Sequence, residues 1–280
     1  MRTLVLTALG VLAATHTAFA WGTSGHSIVA EIAQHRLNDA AAVGVESILG
    51  PGTSLASIGS WADDERARDR RTTRWHFVEI PSAAAAYDAT RDCTPDPALG
   101  DCIIAAIDRE LALVSCATAP TEQRQRALKF LVHLIGGLHQ PLHTIKDERG
   151  GNGIDVTITT LERVNGDLPF NTNLHSTWDA ALIDKTGWSW DSYVERLETG
   201  WLRTADATAI SVGTTTDWAN ESHRIAVTLI ASVPNNIVLD DAYRNENLPL
   251  IDHQLGTAGL RLAELLNRAS RPAAAYLVIE

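Results

Sequence analysis

Residues 121–143 read TEQRQRALKFLVHLIGGLHQPLH, and the fold class follows from this stretch. Leu128, Leu131, Leu134 and Leu138 recur at steps of three and four, the spacing of one helical face. Thr121 stands at a capping position, and Pro141, without an amide hydrogen, disturbs the pattern at the far end. Outward from this block the helical period continues. Ser24 can cap a helix running through Ile28, Ile32 and Leu37, and a second helix is expected over residues 102–114. Segments 176–184, 190–204, 217–232 and 246–268 carry the same pattern. Residues 154–159, IDVTIT, alternate instead like a strand, and Asn165-Gly166 is a hairpin-turn signal. No repeat, linker or low-complexity tract divides the chain. The expectation is one mostly α domain over residues 21–280, carrying a small β-hairpin.

The first twenty residues stand apart from that domain. Arg2 gives a positive start, residues 4–14 an apolar run, and Ala18-Phe19-Ala20 a small-x-small cleavage pattern, which together predict an export signal over residues 1–20. The apolar run is too short to span a bilayer, and no later segment is long enough. A secreted or periplasmic protein starting at Trp21 is therefore expected, with no membrane partner and no obligate protein partner. Of the 280 residues 45% are hydrophobic and 20% charged, a globular balance. The formal charge of −11 argues against gripping duplex DNA through a face of lysines and arginines. A phosphate substrate would have to be held by something else, and bound zinc would serve.

Three cysteines occur. Cys93 and Cys102 flank a loop rich in Pro, Asp and Gly, and export favours a disulfide between them, leaving Cys116 over; spacing alone does not fix the connectivity. The ten histidines are more informative. His133 and His143 bound the block FLVHLIGGLHQPLH. His175 and Asp179 in NLHSTWD are four apart, so on a helix they share one face, a spacing that suits two ligands of one zinc. A lone His-x-x-x-Asp is as a rule only a surface pair. His76 and Asp63 adjoin tryptophans in WHF and WADDER, and His26 lies five residues after Trp21. His35, His139, His223 and His253 are expected at the surface or behind ligands.

Together these motifs resemble a known family, the three-zinc, single-strand-specific nucleases of the S1/P1 type. The resemblance runs through WGTSGH, SWAD, WHF, the cysteine loop ending DC, ALKFLVHLIG, QPLH, GGNGI, NLHSTWD, WANES and GLRLAELLN, in that order. It implies a helical, phospholipase C-like fold with three zinc ions in a cleft. It assigns Asp63, His76 and His133 to one zinc, and His143, His175 and Asp179 to a second. The third would take the α-amine and carbonyl of Trp21 together with His26. Where the family has an aspartate bridging the first and third zincs, four residues after His133, this chain has Gly137. His139, two residues further on, points elsewhere and does not replace it.

The resemblance implies hydrolysis of single-stranded DNA and RNA to 5′-phosphate products, with 3′-nucleotidase action on mononucleotides. Zinc would activate water and stabilise the departing oxyanion. Arg66 and Asn152 could donate to a phosphate oxygen, Phe77 could stack on a base and Glu79 could bond a base edge. Two rival readings are a zinc phospholipase C, which shares the fold and the metal chemistry, and a zinc or nucleic-acid binder made catalytically silent by Gly137.

Overall fold

The computed structural model describes residues 21–159 and 169–270. The expected signal and the Asn165-Gly166 turn lie outside them. Among the described residues eight helices of eight or more residues dominate: α1 (Thr23–Gln34), α2 (Asp39–Leu49), α3 (Trp61–Arg68), α4 (Ile103–Ser115), α5 (Thr121–Leu138), α6 (Trp190–Thr199), α7 (Thr215–Ser232) and α8 (Asp241–Ala269). The fold is thus mostly α, as the periodicity implies. None of the described helices is long and apolar enough to cross a membrane.

α5 is the central element. From Ala127 to Leu138 every residue except Lys129 is buried, so this half of the helix is covered on all sides. It packs against α1, α2, α3, α4, α7 and α8. Leu128, Phe130, Leu131, Leu134, Ile135 and Leu138 are fully buried there. α4 lies along one flank, while α1 and α8 cross behind. α8 tolerates an internal Pro249, and α7 begins with a capping box in which Thr214 and Asp217 satisfy each other's backbone amides.

Several local expectations are corrected. Thr121 is the first residue of α5 and Pro120 its cap; Ser24 lies inside α1, and its hydroxyl donates to Asp184 Oδ1 at 3.2 Å. Segment 176–184 is not a plain α-helix, for a π-helical turn, Thr177–Ala181, interrupts it. The strand β1 (Asp155–Ile158) does pair antiparallel with β2 (Phe170–Asn173), Asp155 opposite Asn173. A third strand, β3 (Ile237–Leu239), runs parallel to β1 on its other side, giving the order β2-β1-β3. Three residues are too few to show a period, so β3 is held by the neighbour it meets. Asn235 Oδ1 accepts from the Asp155 amide at 2.7 Å and sets the register. The sheet matters because β2 leads directly into Leu174 and His175.

The α1–α8 crossing has no slack at Gly259. A Cβ there would sit 2.4 Å from Ile32 Cγ2 and 3.1 Å from the Val29 carbonyl oxygen. Gly259→Ala gains about 1 kcal/mol of helix propensity but forces the helices apart, and overpacking of this kind costs about 1–3 kcal/mol. Thermal unfolding should show a net loss of stability; an unchanged or raised midpoint would mean that the crossing can yield.

Candidate metal centre

Seven elements, counting α5 itself, converge at one end of α5. α1 brings His26, and α3 brings Asp63 with Arg66 one turn later. The 3-10 segment Arg70–His76 ends on His76, and α5 supplies His133. The 3-10 turn Pro141–Thr144 presents His143. The short helix Leu174–Ser176 and the π turn after it carry His175 and Asp179. All seven candidate ligand side chains are buried: His26, Asp63, His76, His133, His143, His175 and Asp179.

Their donor atoms form two clusters. Around the first, His76 Nδ1 lies 3.1 Å from His133 Nε2, and both lie 3.7 Å from Asp63 Oδ1. His26 belongs here as well, its ring stacked on His133 with centroids 3.9 Å apart; His26, Asp63 and His133 offer atoms within 4.8 Å of one another. In the second, Asp179 holds its two oxygens 3.5 Å from His143 Nε2 and 3.3 Å from His175 Nε2. Ligands about 2.0–2.1 Å from a tetrahedral zinc stand roughly 3.3 Å from each other, so both clusters have the spacing of a metal's donor shell. The hydrogen bonding agrees. Both ring nitrogens of His26, Asp63 Oδ1, His76 Nε2, His143 Nδ1 and Asp179 Oδ2 are buried without a hydrogen-bond partner. Native interiors rarely leave so many polar atoms unpaired.

The partners that do exist aim the rings. His133 Nδ1 donates to the Gly59 carbonyl at 2.9 Å and His175 Nδ1 to the Gly150 carbonyl at 2.6 Å, which turns each Nε2 toward its cluster. Gly136 makes room for His26, since a Cβ there would lie 2.9 Å from its Nδ1. Gly137 is buried in the last turn of α5. Trp21 is fully buried, and the amide of Gly22 beside it donates to the Asp179 carbonyl at 2.6 Å, joining the start of α1 to the second cluster.

A cavity of about 180 Å3 opens over the clusters, lined by His76, His143 and His175. Arg66, Phe77, Glu79 and Asn152 line it too, so the four residues proposed for phosphate and base contacts share one space. Phe77 and Asn152 are half-buried and Glu79 is exposed. The segment bearing Phe77 is tied to the metal side: the Val78 amide donates to the His143 carbonyl at 2.8 Å. Cys93 and Cys102 are disulfide-bonded and Cys116 is free and exposed.

Two contributors were not expected from the sequence. Gln140, fully buried, donates from Nε2 to Asp179 Oδ1 at 2.6 Å and accepts the Leu142 amide on Oε1. A glutamine before a proline hints at a turn cap, but nothing local points to a carboxylate thirty-nine positions away. Arg149 also lines the cavity, and no motif singles it out. Of the histidines expected at the surface or behind ligands, His139 is buried between the Ile135 carbonyl and Arg261 Nη1, and His223 is buried with Nδ1 donating to the Thr144 carbonyl.

Burial sets the charge state of the metal-free centre. It presses His133 down to about 3, and it drives His26 and His76 well below the usual imidazole range. His143 is lowered by burial, with Asp179 opposing. Asp63 is raised to about 7 by burial, although Arg66 pulls the other way. Neutral imidazoles are ready to ligate, whereas Asp63 must give up its proton when a cation arrives. The pH dependence follows. Below about 6.5 the unfolded chain protonates histidines that the folded chain keeps neutral, so these groups lower stability as the pH falls. Asp63 acts oppositely: its proton favours the folded state, an advantage lost as pH rises through about 7. Four imidazoles outweigh one carboxylate. Zinc-stripped protein should therefore unfold at a lower denaturant concentration at pH 5 than at pH 7; a higher midpoint at pH 5 would mean that the folded chain keeps these imidazoles protonated.

Comparison with known proteins gives this geometry a lineage. The family model described as S1/P1 Nuclease matches residues 21–271. Nuclease PA3 of a Penicillium species is 32% identical over 276 residues, covering 88% of this chain and 97% of that protein. Endonuclease 2 of Arabidopsis thaliana is 31% identical, over 89% of this chain and 90% of its own length. Nuclease S1 of Aspergillus oryzae is 29% identical, spanning 97% of this chain and all of that protein. With the match running through every segment that builds the two clusters, the chain belongs to the S1/P1 nuclease family.

Proposed function

We propose that this zinc-dependent nuclease is an exported endonuclease that cuts single-stranded DNA and RNA to give 5′-phosphate ends. It also removes phosphate from 3′-mononucleotides. The observation that carries the reading is the pair of buried donor clusters beside a cavity lined by His76, His143 and His175. At about 180 Å3 it is small beside the ~300–1,000 Å3 of ordinary small-molecule pockets, and Phe77 and Glu79 line it with the metal ligands.

Asp63, His76 and His133, with His26 beside them, would hold zinc at the first cluster, and His143, His175 and Asp179 at the second. Zinc bound there supplies Lewis acidity, bringing the pKa of water toward neutral and polarising a phosphoryl oxygen. The chain's own residues do the rest. Arg66, 4.0 Å from Asp63 and mostly buried, places a fixed positive charge where the pentavalent phosphorus gathers negative charge. Asn152 offers an amide from the turn beside it. Phe77 presents a ring face for stacking, and Glu79 accepts from an exocyclic amine. Gln140 and the Gly59 and Gly150 carbonyls hold Asp179, His133 and His175 in place, so little reorganisation accompanies reaction. Water adds across the P–O3′ bond, leaving a 3′-hydroxyl on one fragment and a 5′-phosphate on the other.

Initial rates on heat-denatured and duplex DNA of one sequence test the reading, with ligation of the products reporting the 5′-phosphate. Denatured DNA should be cut far faster, and chelation should abolish the cutting; comparable rates on the two forms would end the single-strand reading.

Gly137 bears on the zinc count. An aspartate there would lie one turn beyond His133 on the same face of α5. Its absence takes a bridging ligand from the first zinc site and from the third, which the resemblance assigns to His26 and the Trp21 terminus, while the second cluster shares nothing with that position. Purified protein starting at Trp21 should hold fewer than three zincs per chain, and Gly137→Asp should add one. Loss of mere supporting partners costs about 10–100-fold, so turnover should rise at least ~10-fold in the variant. Equal zinc content and equal turnover in the two proteins would show that Gly137 is neutral.

A further inference from the structure

The turn that carries Asn152 has a backbone feature that the proposed chemistry does not use. Glu148, Arg149, Gly150 and Gly151 have φ of 49°, 54°, 64° and 83°, four consecutive residues in the left-handed region. Glycine adopts this freely, but Glu148 and Arg149 do so against steric resistance from their Cβ atoms. Non-glycine residues persist there only when their surroundings over-determine them, and such sites cluster at ligand contacts. Here the surroundings are visible. Asp147 is clasped by the Ser82 amide and hydroxyl at 2.7 and 2.6 Å, and the Gly153 amide donates to the Glu148 carbonyl at 2.8 Å. Asn152 Nδ2 donates to the Arg149 carbonyl at 2.9 Å, and Arg149 Nη2 returns a bond to the Asn152 carbonyl at 3.2 Å.

The held turn leaves the Arg149 side chain exposed while it lines the cavity over the metal clusters. The cavity has one other arginine, Arg66, and the two differ in setting. Arg66 is mostly buried and lies 4.0 Å from the candidate ligand Asp63, at the cavity floor. Arg149 is exposed, and its guanidinium gives one hydrogen bond to the Asn152 carbonyl and makes no ion pair among the described residues. In a chain of formal charge −11, a guanidinium that lines the metal cavity without a carboxylate partner is suited to an anion. A phosphate bound at the metals lies on the floor, so a phosphate meeting the exposed Arg149 belongs to the neighbouring nucleotide.

We propose that Arg149 binds the phosphate next to the scissile one, making a subsite by which the enzyme favours strands with at least two phosphodiester groups over a dinucleotide with one. This rests on the nuclease reading above. The guanidinium fork matches two phosphate oxygens, which a lysine ammonium reproduces only as a point charge.

The test compares kcat/KM of the zinc-loaded protein on a dinucleoside monophosphate and on a trinucleotide with two phosphodiester groups. The unaltered protein should prefer the trinucleotide. Arg149→Ala and Arg149→Gly should both lower that preference by about 10-fold, the worth of one charge-assisted contact, and Arg149→Lys should keep part of it. The glycine variant separates charge from backbone, because it keeps the left-handed turn and removes only the side chain. If Arg149→Gly retains the full preference while Arg149→Ala loses it, the arginine acts through the turn and the subsite is overturned. A preference unchanged in both variants overturns it too, as does a trinucleotide no better than the dinucleotide in the unaltered protein. Failure of that protein to hydrolyse either substrate would instead remove the nuclease reading.

Discussion

Two carboxylates and five imidazoles meet in the interior with their donor atoms facing one another, and the rest of the structure is arranged around that requirement. Each polar atom buried without a partner costs about 1–3 kcal/mol, and six at this centre have none. No single element could bring them together. α1, α3, α5, two 3-10 segments and the helix after β2 each contribute one or two, so the centre ties together segments from His26 to Asp179. A cation binding there stabilises the folded chain alone, since the unfolded chain has no preformed site. The apolar surface of α5 makes this possible by anchoring the surrounding helices at fixed depth behind the ligands.

The limits of sequence reading follow the same division between local and distant causes. α5 was legible because its period is internal to it, and His175 with Asp179 because four residues of helix suffice to align them. The π-helical turn between those two was not, yet their atoms still meet at 3.3 Å. α3 has almost no apolar periodicity in WADDERAR, so nothing local announces it. It exists because Trp61 and Ala62 pack against α5 and Asp63 joins the centre. β3 has only three residues and is defined by β1. Gln140 and Arg149 escaped for a related reason, since their roles depend on what other segments bring to them. The family resemblance supplied most of the ligand set, because it compresses tertiary information into short motifs. It carried no information on Arg149, which belongs to no quoted motif.

Charge explains how an acidic protein can act on a polyanion. Surface charges are screened beyond about 8–10 Å at physiological ionic strength, so the overall charge of −11 discourages approach without deciding the contact. Most arginines are neutralised where they stand. Arg36 pairs with Glu198, Arg109 with Asp101, Arg196 with Asp252, Arg261 with Glu221 and Arg268 with Glu264. Arg109 and Arg126 also lie over Trp75, so their cations belong to the packing. The net charge of −11 still opposes the counterion release by which a basic protein grips a duplex along its length. Within this acidic surface, Arg66, Arg149 and the candidate metal ligands His76, His143 and His175 line one cavity together with Phe77. A duplex presents its phosphates on the outside of a stiff stack and cannot lower one nucleotide into such a space without unpairing it. A single strand can, because an unpaired base gives up little when it leaves its neighbours for an aromatic face, the role proposed for Phe77. Selectivity for unpaired strands then needs no reading of sequence. It follows from placing two arginines and the metal ligands around one small opening.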